Sequence, residues 1–155
     1  MNRPAAAALL GTLIAAGAVG LAFAQASTQP LARFQIKDGA IAASLTGRAG
    51  DARKGREVAV NRQLGNCLAC HVISALKEEP YHGNVGPSLD GVAGRLTEGE
   101  MRLRVVDPTK LNPDTMMPPF YRVDGLNKVM TPFQGKSILT AEQVEDVVAF
   151  LKTLR

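Results

Sequence analysis

Two cysteines and a histidine stand close together near the middle of the chain. Cys67 and Cys70 are separated by two residues, and His71 follows them directly. Two thiols one helical turn apart can add to the two vinyl groups on one edge of a haem, and the adjacent imidazole then lies beneath the iron. The C-x-x-C-H spacing therefore predicts one covalently attached haem c, held by Cys67 and Cys70 and ligated by His71.

Two other chemistries use cysteines at this spacing. A thioredoxin-like dithiol needs a nucleophilic thiolate at a helix start within a strand-helix-strand context, and no such alternation surrounds this motif. A zinc site needs four ligands, and the only other histidine is His82, which lies in a polar loop where we expect a solvent-facing ring. Haem attachment is therefore the favoured interpretation.

The segment before the motif has the pattern of a helix. Asp51 is a capping residue, and we expect the helix that follows it to end near Gly65, which delivers the chain into the haem motif. Gly55 lies within this helix. A residue without a side chain would allow close crossing by Phe150 of the last helix.

Two more helices are predicted after the motif. One runs from Thr97 to Val106, and the other follows Thr140, which has the spacing of a capping box with Gln143. The last helix carries an apolar stripe at helical spacing: Val144, Val147, Val148, Leu151 and Leu154. We expect this stripe to pack against the first helix and to close the shell around the haem.

The order of these elements resembles the class I cytochrome c fold, an all-α fold with helices packed around one covalently bound haem. Residues 86–95, Gly-Pro-Ser-Leu-Asp-Gly-Val-Ala-Gly-Arg, resemble the G-P-x-L-x-G-x-x-G-R loop of that family. In the family, the proline carbonyl accepts a hydrogen bond from the ligating histidine and fixes its ring. By resemblance this role falls to Pro87.

The distal ligand of the iron is expected in the long proline-rich passage of residues 112–135. A thioether holds iron at a higher potential than a second imidazole would, which suits a carrier that accepts electrons. Met101 is expected in the core of a helix, and Met116 is expected to point elsewhere. We favour Met117, because the two prolines directly after it stiffen the loop, and Met130 remains the alternative.

The chain begins with a short basic segment and then runs without a charge from Ala5 to Ala24. This pattern is typical of a secretory signal peptide, and a small-x-small triplet predicts cleavage after Ala24; an uncleaved anchor helix is the alternative. We therefore expect a signal peptide at residues 1–24, an N-terminal arm at 25–50 and a cytochrome c domain at 51–155. The formal net charge of +4 is not a nucleic-acid-binding signature.

Several blocks of the chain resemble the SoxX family, the monohaem class I cytochrome c subunits of SoxAX sulfur-oxidation complexes. These blocks are residues 45–51, 65–71, 83–89, 112–118, 133–136 and 139–151. The resemblance covers nearly all of the mature chain, including the arm that generic class I proteins lack. In the SoxX pattern the methionine of N-P-x-T-x-M-P is the distal ligand, and this position is Met117 here.

The resemblance to SoxX implies electron transfer in the periplasm, with no membrane contact after signal cleavage. SoxX pairs with a SoxA-type cytochrome, and the complex, an L-cysteine S-thiosulfotransferase, couples thiosulfate oxidatively to a cysteine of a SoxYZ-type carrier protein. Because both cysteines of this chain are committed to haem, we expect no catalytic residue in it. It would accept the released electrons and pass them to a downstream cytochrome c.

A free-standing class I cytochrome c electron shuttle is the competing function. The N-terminal arm argues against it, because a shuttle without a dedicated partner needs no such extension. A weaker expectation concerns Arg102 and Arg104 of the second predicted helix, which are candidates for steering an anion such as thiosulfate.

Overall fold

The computed structural model describes residues 30–155, so the predicted signal peptide lies outside the described residues. Helices of the described part are α1 (Ala52–Val60), α2 (Val92–Arg95), α3 (Glu98–Val106) and α4 (Ala141–Leu151). Single turns of 3-10 helix lie at Cys67–Ala69, Ser74–Leu76, Pro108–Lys110 and Thr131–Phe133. Within residues 30–155, strand-like pairing is limited to one isolated bridge between Lys37 and Ala40, and no helix is long and apolar enough to cross a bilayer.

Side-chain caps start three of these helices at the residues that the sequence predicted. Asp51 caps α1 by accepting two backbone N–H groups of its first turn. Thr97 and Thr140 each form a complete capping box with the residue three positions further on, at the starts of α3 and α4. Each cap satisfies N–H groups that would otherwise lack a partner, which typically stabilises a helix by about 1 kcal/mol.

Helix α1 ends at Val60, which is earlier than the predicted end near Gly65. Asn61 is extended, and its side-chain oxygen accepts the backbone N–H of Gln63 at 2.8 Å. The chain then folds back, and the N–H of Gly65 donates to the carbonyl of Val58 at 3.1 Å. The helix stops because an asparagine side chain competes with the helical backbone for N–H groups.

Helices α1 and α4 cross at very short range, as predicted from Gly55. A Cβ atom on Gly55 would lie 1.9 Å from the carbonyl oxygen of Asp146 and 2.9 Å from the Cβ of Phe150. A Cβ on Gly50, just before the helix, would lie 2.2 Å from the carbonyl carbon of Glu145. Glycine is therefore required at both positions, because no side chain fits between the two backbones.

The apolar stripe of α4 forms the centre of the hydrophobic core. Its members are all buried: Val144, Val147, Val148, Leu151 and Leu154. Met101 of α3 is also buried, as expected. Ile41 of the N-terminal arm is fully buried in the same core, so the arm belongs to the packed body of the protein.

Arg102 lies inside the protein, where it forms an ion pair with Glu145. Its guanidinium donates to both carboxylate oxygens of Glu145 at 2.8 and 3.0 Å, to Glu98 at 2.9 Å and to the carbonyl of Ile41 at 2.7 Å. Burial works against its charge, but the hydrogen bonds and negative charges of Glu145 and Glu98 raise the pKa of Arg102. The expectation that Arg102 steers an anion is wrong, because its side chain is only 1% exposed. Arg104 is half-buried, and the steering role stays a prediction for it.

Candidate haem site

The C-x-x-C-H segment forms one tight turn. The turn begins in the 3-10 helix Cys67–Ala69, and the backbone N–H groups of Cys70 and His71 both donate to the carbonyl of Cys67, at 3.2 and 3.0 Å. Both cysteines are half-buried and are free thiols. The local backbone therefore presents two unpaired thiols and an imidazole on consecutive positions of one turn.

The thiol of Cys67 does not have the character of a redox nucleophile. Burial raises the pKa of Cys67 to about 11, with a smaller contribution from the neighbouring charge of Cys70. A thioredoxin-like nucleophile needs the opposite shift, toward a thiolate at neutral pH. This environment disfavours the dithiol interpretation and is compatible with a thiol that forms a permanent thioether.

The ring of His71 is held in one orientation by Pro87. Its Nδ1 atom lies 2.6 Å from the carbonyl oxygen of Pro87. Because a carbonyl oxygen can only accept, Nδ1 carries the proton and Nε2 keeps its lone pair. Such a bond fixes a ligating ring and raises its basicity. The contact that the family resemblance assigned to Pro87 is thus present, and Nε2 is the atom available for iron.

The backbone of Gly86 lies directly against the His71 ring. A Cβ atom on Gly86 would lie 2.4 Å from the Cε1 of His71 and 2.7 Å from its Nδ1. The N–H of Gly86 donates to the carbonyl of Cys70 at 2.8 Å, and the N–H of Leu89 donates to the carbonyl of Val72 at 2.9 Å. These bonds hold the loop beside the haem motif, and the close approach to the His71 ring explains why the loop begins with glycine.

Asp90 and Arg95 hold the same loop in place from its far end. Asp90 accepts the hydroxyl and the backbone N–H of Ser74 at 2.6 and 2.7 Å, and these bonds lower the pKa of its carboxyl. Arg95 donates to the carbonyls of Ser88, at 2.9 Å, and of Asp90. Sequence reasoning found Arg95 only as part of a motif. Both carbonyls precede the helix that carries Arg95, so no helix-end pattern in the sequence indicated this contact.

His82 is half-buried, which contradicts the expected solvent-facing ring. Its Nδ1 accepts the N–H of Ile73 at 3.3 Å, and its Nε2 donates to the carbonyl of Leu76 at 3.1 Å. Both ring nitrogens are therefore engaged with the backbone that follows the haem motif, which does not suit a zinc ligand. In the described part of the chain, no three His, Cys, Asp or Glu side chains gather to hold a metal ion.

The candidate methionines differ in burial. Met117 is half-buried and packs against the core, whereas Met116 and Met130 are 83% and 65% exposed. Met117 as the distal ligand stays a prediction, with Met130 as the alternative.

The loop that carries Met117 is built by its own polar side chains. The side-chain oxygen of Asn112 accepts the N–H of Asp114 at 3.0 Å, and its carbonyl accepts the N–H of Thr115 at 3.2 Å. The hydroxyl of Thr115 then accepts the N–H of Met117 at 3.2 Å. The N-P-x-T-x-M-P block therefore encodes a preformed turn, since these bonds need only short sequence separations.

The residues of this region fit a covalently attached haem. Two free thiols lie on one turn, and the imidazole beside them has a fixed ring and an available Nε2. The close approach of Gly86 leaves no space for a side chain against that ring.

Comparisons with known proteins agree with this chemistry. The profile of the Cytochrome c family matches residues 52–155. A chain in the crystal structure of SoxXA from P. pantotrophus is 41% identical and superposes with a TM-score of 0.73. The match covers 78% of this chain and 93% of that chain. No curated protein sequence matches the chain.

Proposed function

Since this chain belongs to the cytochrome c family and is a SoxX-type cytochrome with one covalent haem c, we propose that it is the electron-transfer subunit of a SoxAX complex. The extent of the match to SoxXA carries this proposal. The match covers 78% of the chain. Residues 52–155 alone are too few to make up that share, so residues of the arm contribute to the match. An arm in common with a SoxXA chain supports this function over a free shuttle.

The haem supplies a reversible one-electron change at its iron. Cys67 and Cys70 would hold the haem through two thioether bonds, and His71 would bind the iron through Nε2. The carbonyl of Pro87 keeps the proton on Nδ1, so the ring does not turn and Nε2 stays a strong donor. Met117 would supply the second iron ligand, and a thioether would raise the potential and favour acceptance of electrons.

The electrons come from a reaction on the partner. A SoxA-type cytochrome with its own reactive cysteine couples thiosulfate to a cysteine of a SoxYZ-type carrier, and this chain passes the electrons to a downstream cytochrome c. We place the protein in the periplasm after removal of residues 1–24. The mature chain then consists of the arm, residues 25–50, and the cytochrome c domain, residues 51–155.

The proposed partner can be tested by co-purification. Tagged mature protein is isolated from its native periplasm during growth on thiosulfate, bound proteins are identified by mass, and haem is measured by absorption spectrum. We expect a stable second cytochrome with a reactive cysteine. Haem-loaded protein that arrives alone would contradict the SoxAX assignment and favour the free shuttle. A variant with Cys67→Ser and Cys70→Ser is the control, and its haem should not survive denaturing electrophoresis.

The distal ligand can be tested by paired substitutions. Met117→Ala is expected to abolish the absorption band of the thioether-to-iron bond and to lower the midpoint potential, because the thioether that raises the potential is lost. Met130→Ala and Met116→Ala are the controls, since both side chains are largely exposed, and both should keep the band. Loss of the band in Met130→Ala with retention in Met117→Ala would overturn the assignment.

A further inference from the structure

The N-terminal arm is anchored at one point by the buried ion pair of the core. The N–H of Ile41 donates to the carbonyl of Gly99 at 3.0 Å, and the carbonyl of Ile41 accepts from Arg102 at 2.7 Å. The N–H of Leu45 donates to the carboxylate of Glu145 at 2.9 Å. Both members of the pair are therefore bonded to the arm, and the arm segment 41–45 is fixed on α3 and α4.

The preceding part of the arm reaches a second place, next to Tyr121. The N–H of Ala32 donates to the hydroxyl of Tyr121 at 2.8 Å, and Tyr121 is only 4% exposed. Leu31 and Phe34 line a surface cavity of about 420 Å³ together with Tyr121. Both arm residues are half-buried against the core. The arm thus contacts Tyr121 through one hydrogen bond, and Leu31 and Phe34 on either side of Ala32 pack against the core around that contact.

Tyr121 closes the loop that carries Met117. This Met117 loop, residues 112–121, ends where the N–H groups of Phe120 and Tyr121 donate to the carbonyls of Val105 and Val106, at 3.2 and 3.1 Å. Only two prolines and Phe120 separate Met117 from Tyr121. Because proline fixes its φ angle, a stretch this short and stiff transmits the position of Tyr121 to Met117.

We propose that the N-terminal arm is a strap that positions the Met117 loop, with Tyr121 as the positioning residue. The ion pair of Arg102 and Glu145 anchors the strap, and residues 31–34 hold Tyr121. A thioether is a weak ligand, and it stays bound more readily when its loop is already ordered. The effect on ligation rests on the proposed function of Met117, whereas the ordering of the loop does not.

Removal of one hydroxyl tests the strap. In the intact mature holoprotein, Tyr121→Phe is compared with Tyr81→Phe. Tyr81 is the control because it is 81% exposed and its ring lies against the guanidinium of Arg62. We expect the backbone amides of the non-proline residues in 115–121 to exchange with deuterium about fivefold faster in Tyr121→Phe, and to be unchanged in Tyr81→Phe. Equal exchange in the two variants would refute the strap.

A substitution on the arm side tests whether the same contact is responsible. Phe34→Ala is expected to speed exchange of the same amides, and the double variant with Tyr121→Phe should fall short of the sum of the two effects, since both loosen the attachment of residues 31–34 at Tyr121. Additive effects, or no effect of Phe34→Ala, would contradict the strap.

The consequence for ligation is measured by heating. In Tyr121→Phe, the thioether-to-iron band should disappear about 4 °C lower than in the unchanged protein, while global unfolding moves less. Faster exchange with an unaltered band would contradict a function of the strap in ligation. The exchange comparison is made between Tyr121→Phe and Tyr81→Phe, which have the same iron ligands. A Met117→Ala variant that keeps the band would therefore refute the ligand assignment and leave the strap decided by exchange.

Discussion

Gly86 and Gly94 belong to the same loop motif, yet their surroundings are opposite. A Cβ on Gly86 would strike the His71 ring at 2.4 Å, whereas a Cβ on Gly94 would meet nothing within 4 Å. The His71 ring cannot move away without giving up its bond to Pro87. One glycine of the motif is therefore needed for the geometry of the proposed iron ligand, and the other is replaceable.

This contrast gives a prediction at the residue scale. Gly86→Ala is expected to lower the free energy of unfolding by about 1–3 kcal/mol, the usual cost of overpacking, and to shift the midpoint potential because the His71 ring is displaced. Gly94→Ala should leave the potential unchanged and stabilise α2 by up to about 1 kcal/mol. Denaturant unfolding and redox titration measure both quantities. Equal potentials in the two variants would show that Gly86 does not set the ring position.

At the scale of elements, the predicted all-α class I cytochrome c fold is confirmed by the matches to the Cytochrome c family and to SoxXA. The crossing of α1 and α4 is the contact on which this arrangement depends. It brings the backbone of Asp51 within 2.7 Å of the Asp146 carboxylate, so the start of one helix is bonded to the middle of the other. The crossing holds α1 in place just ahead of the haem motif.

The close crossing of α1 and α4 predicts an unusual effect of alanine at Gly55. In an ordinary helix, alanine is more favourable than glycine by about 1 kcal/mol, but Gly55→Ala is expected to reverse this sign and to destabilise the protein by about 1–3 kcal/mol or more. The reason is the 1.9 Å distance from the added Cβ to the Asp146 carbonyl. The urea midpoint measures the effect, with Gly94→Ala as the matched control. A stabilised Gly55→Ala variant would mean that the two helices lie further apart.

On the scale of the whole molecule, one ion pair joins three parts of the chain. Arg102 of α3 and Glu145 of α4 are 1% and 2% exposed, and both are bonded to the arm. Glu98 extends the network to Lys152 at 2.6 Å, and this contact, together with Arg102, lowers the pKa of Glu98. Docking of the arm and packing of the helices are therefore energetically coupled.

Substitution of one or both members of the ion pair tests this coupling. Arg102→Met leaves the Glu145 carboxylate buried without its cation and is expected to cost about 3–5 kcal/mol of unfolding free energy. The double variant Arg102→Met with Glu145→Leu should recover a large part of that loss, because no unpaired charge is left. A double-mutant cycle by denaturant unfolding measures the coupling. Additive losses would show that the two side chains act independently.

Local sequence patterns were enough to predict the haem attachment, the helix starts and the buried apolar stripe of the last helix. The attachment motif needs two cysteines and a histidine within five positions, a cap needs a side chain within three residues of the N–H that it accepts, and a stripe needs only helical periodicity. Cys67, Cys70 and His71 remain predictions as haem-binding residues, and they were found by this local logic. The turn that carries Met117 follows from equally short separations.

The burial of polar side chains and the position of the arm could be read only from the tertiary structure. His82 and Arg102 were both expected at the surface, but His82 is half-buried and Arg102 is enclosed by segments that fold over it. Burial depends on contacts between residues far apart in the sequence, such as Ile41 with Arg102 and Ala32 with Tyr121. Such contacts have no local pattern, because their free energy arises only when the packed core brings the segments together.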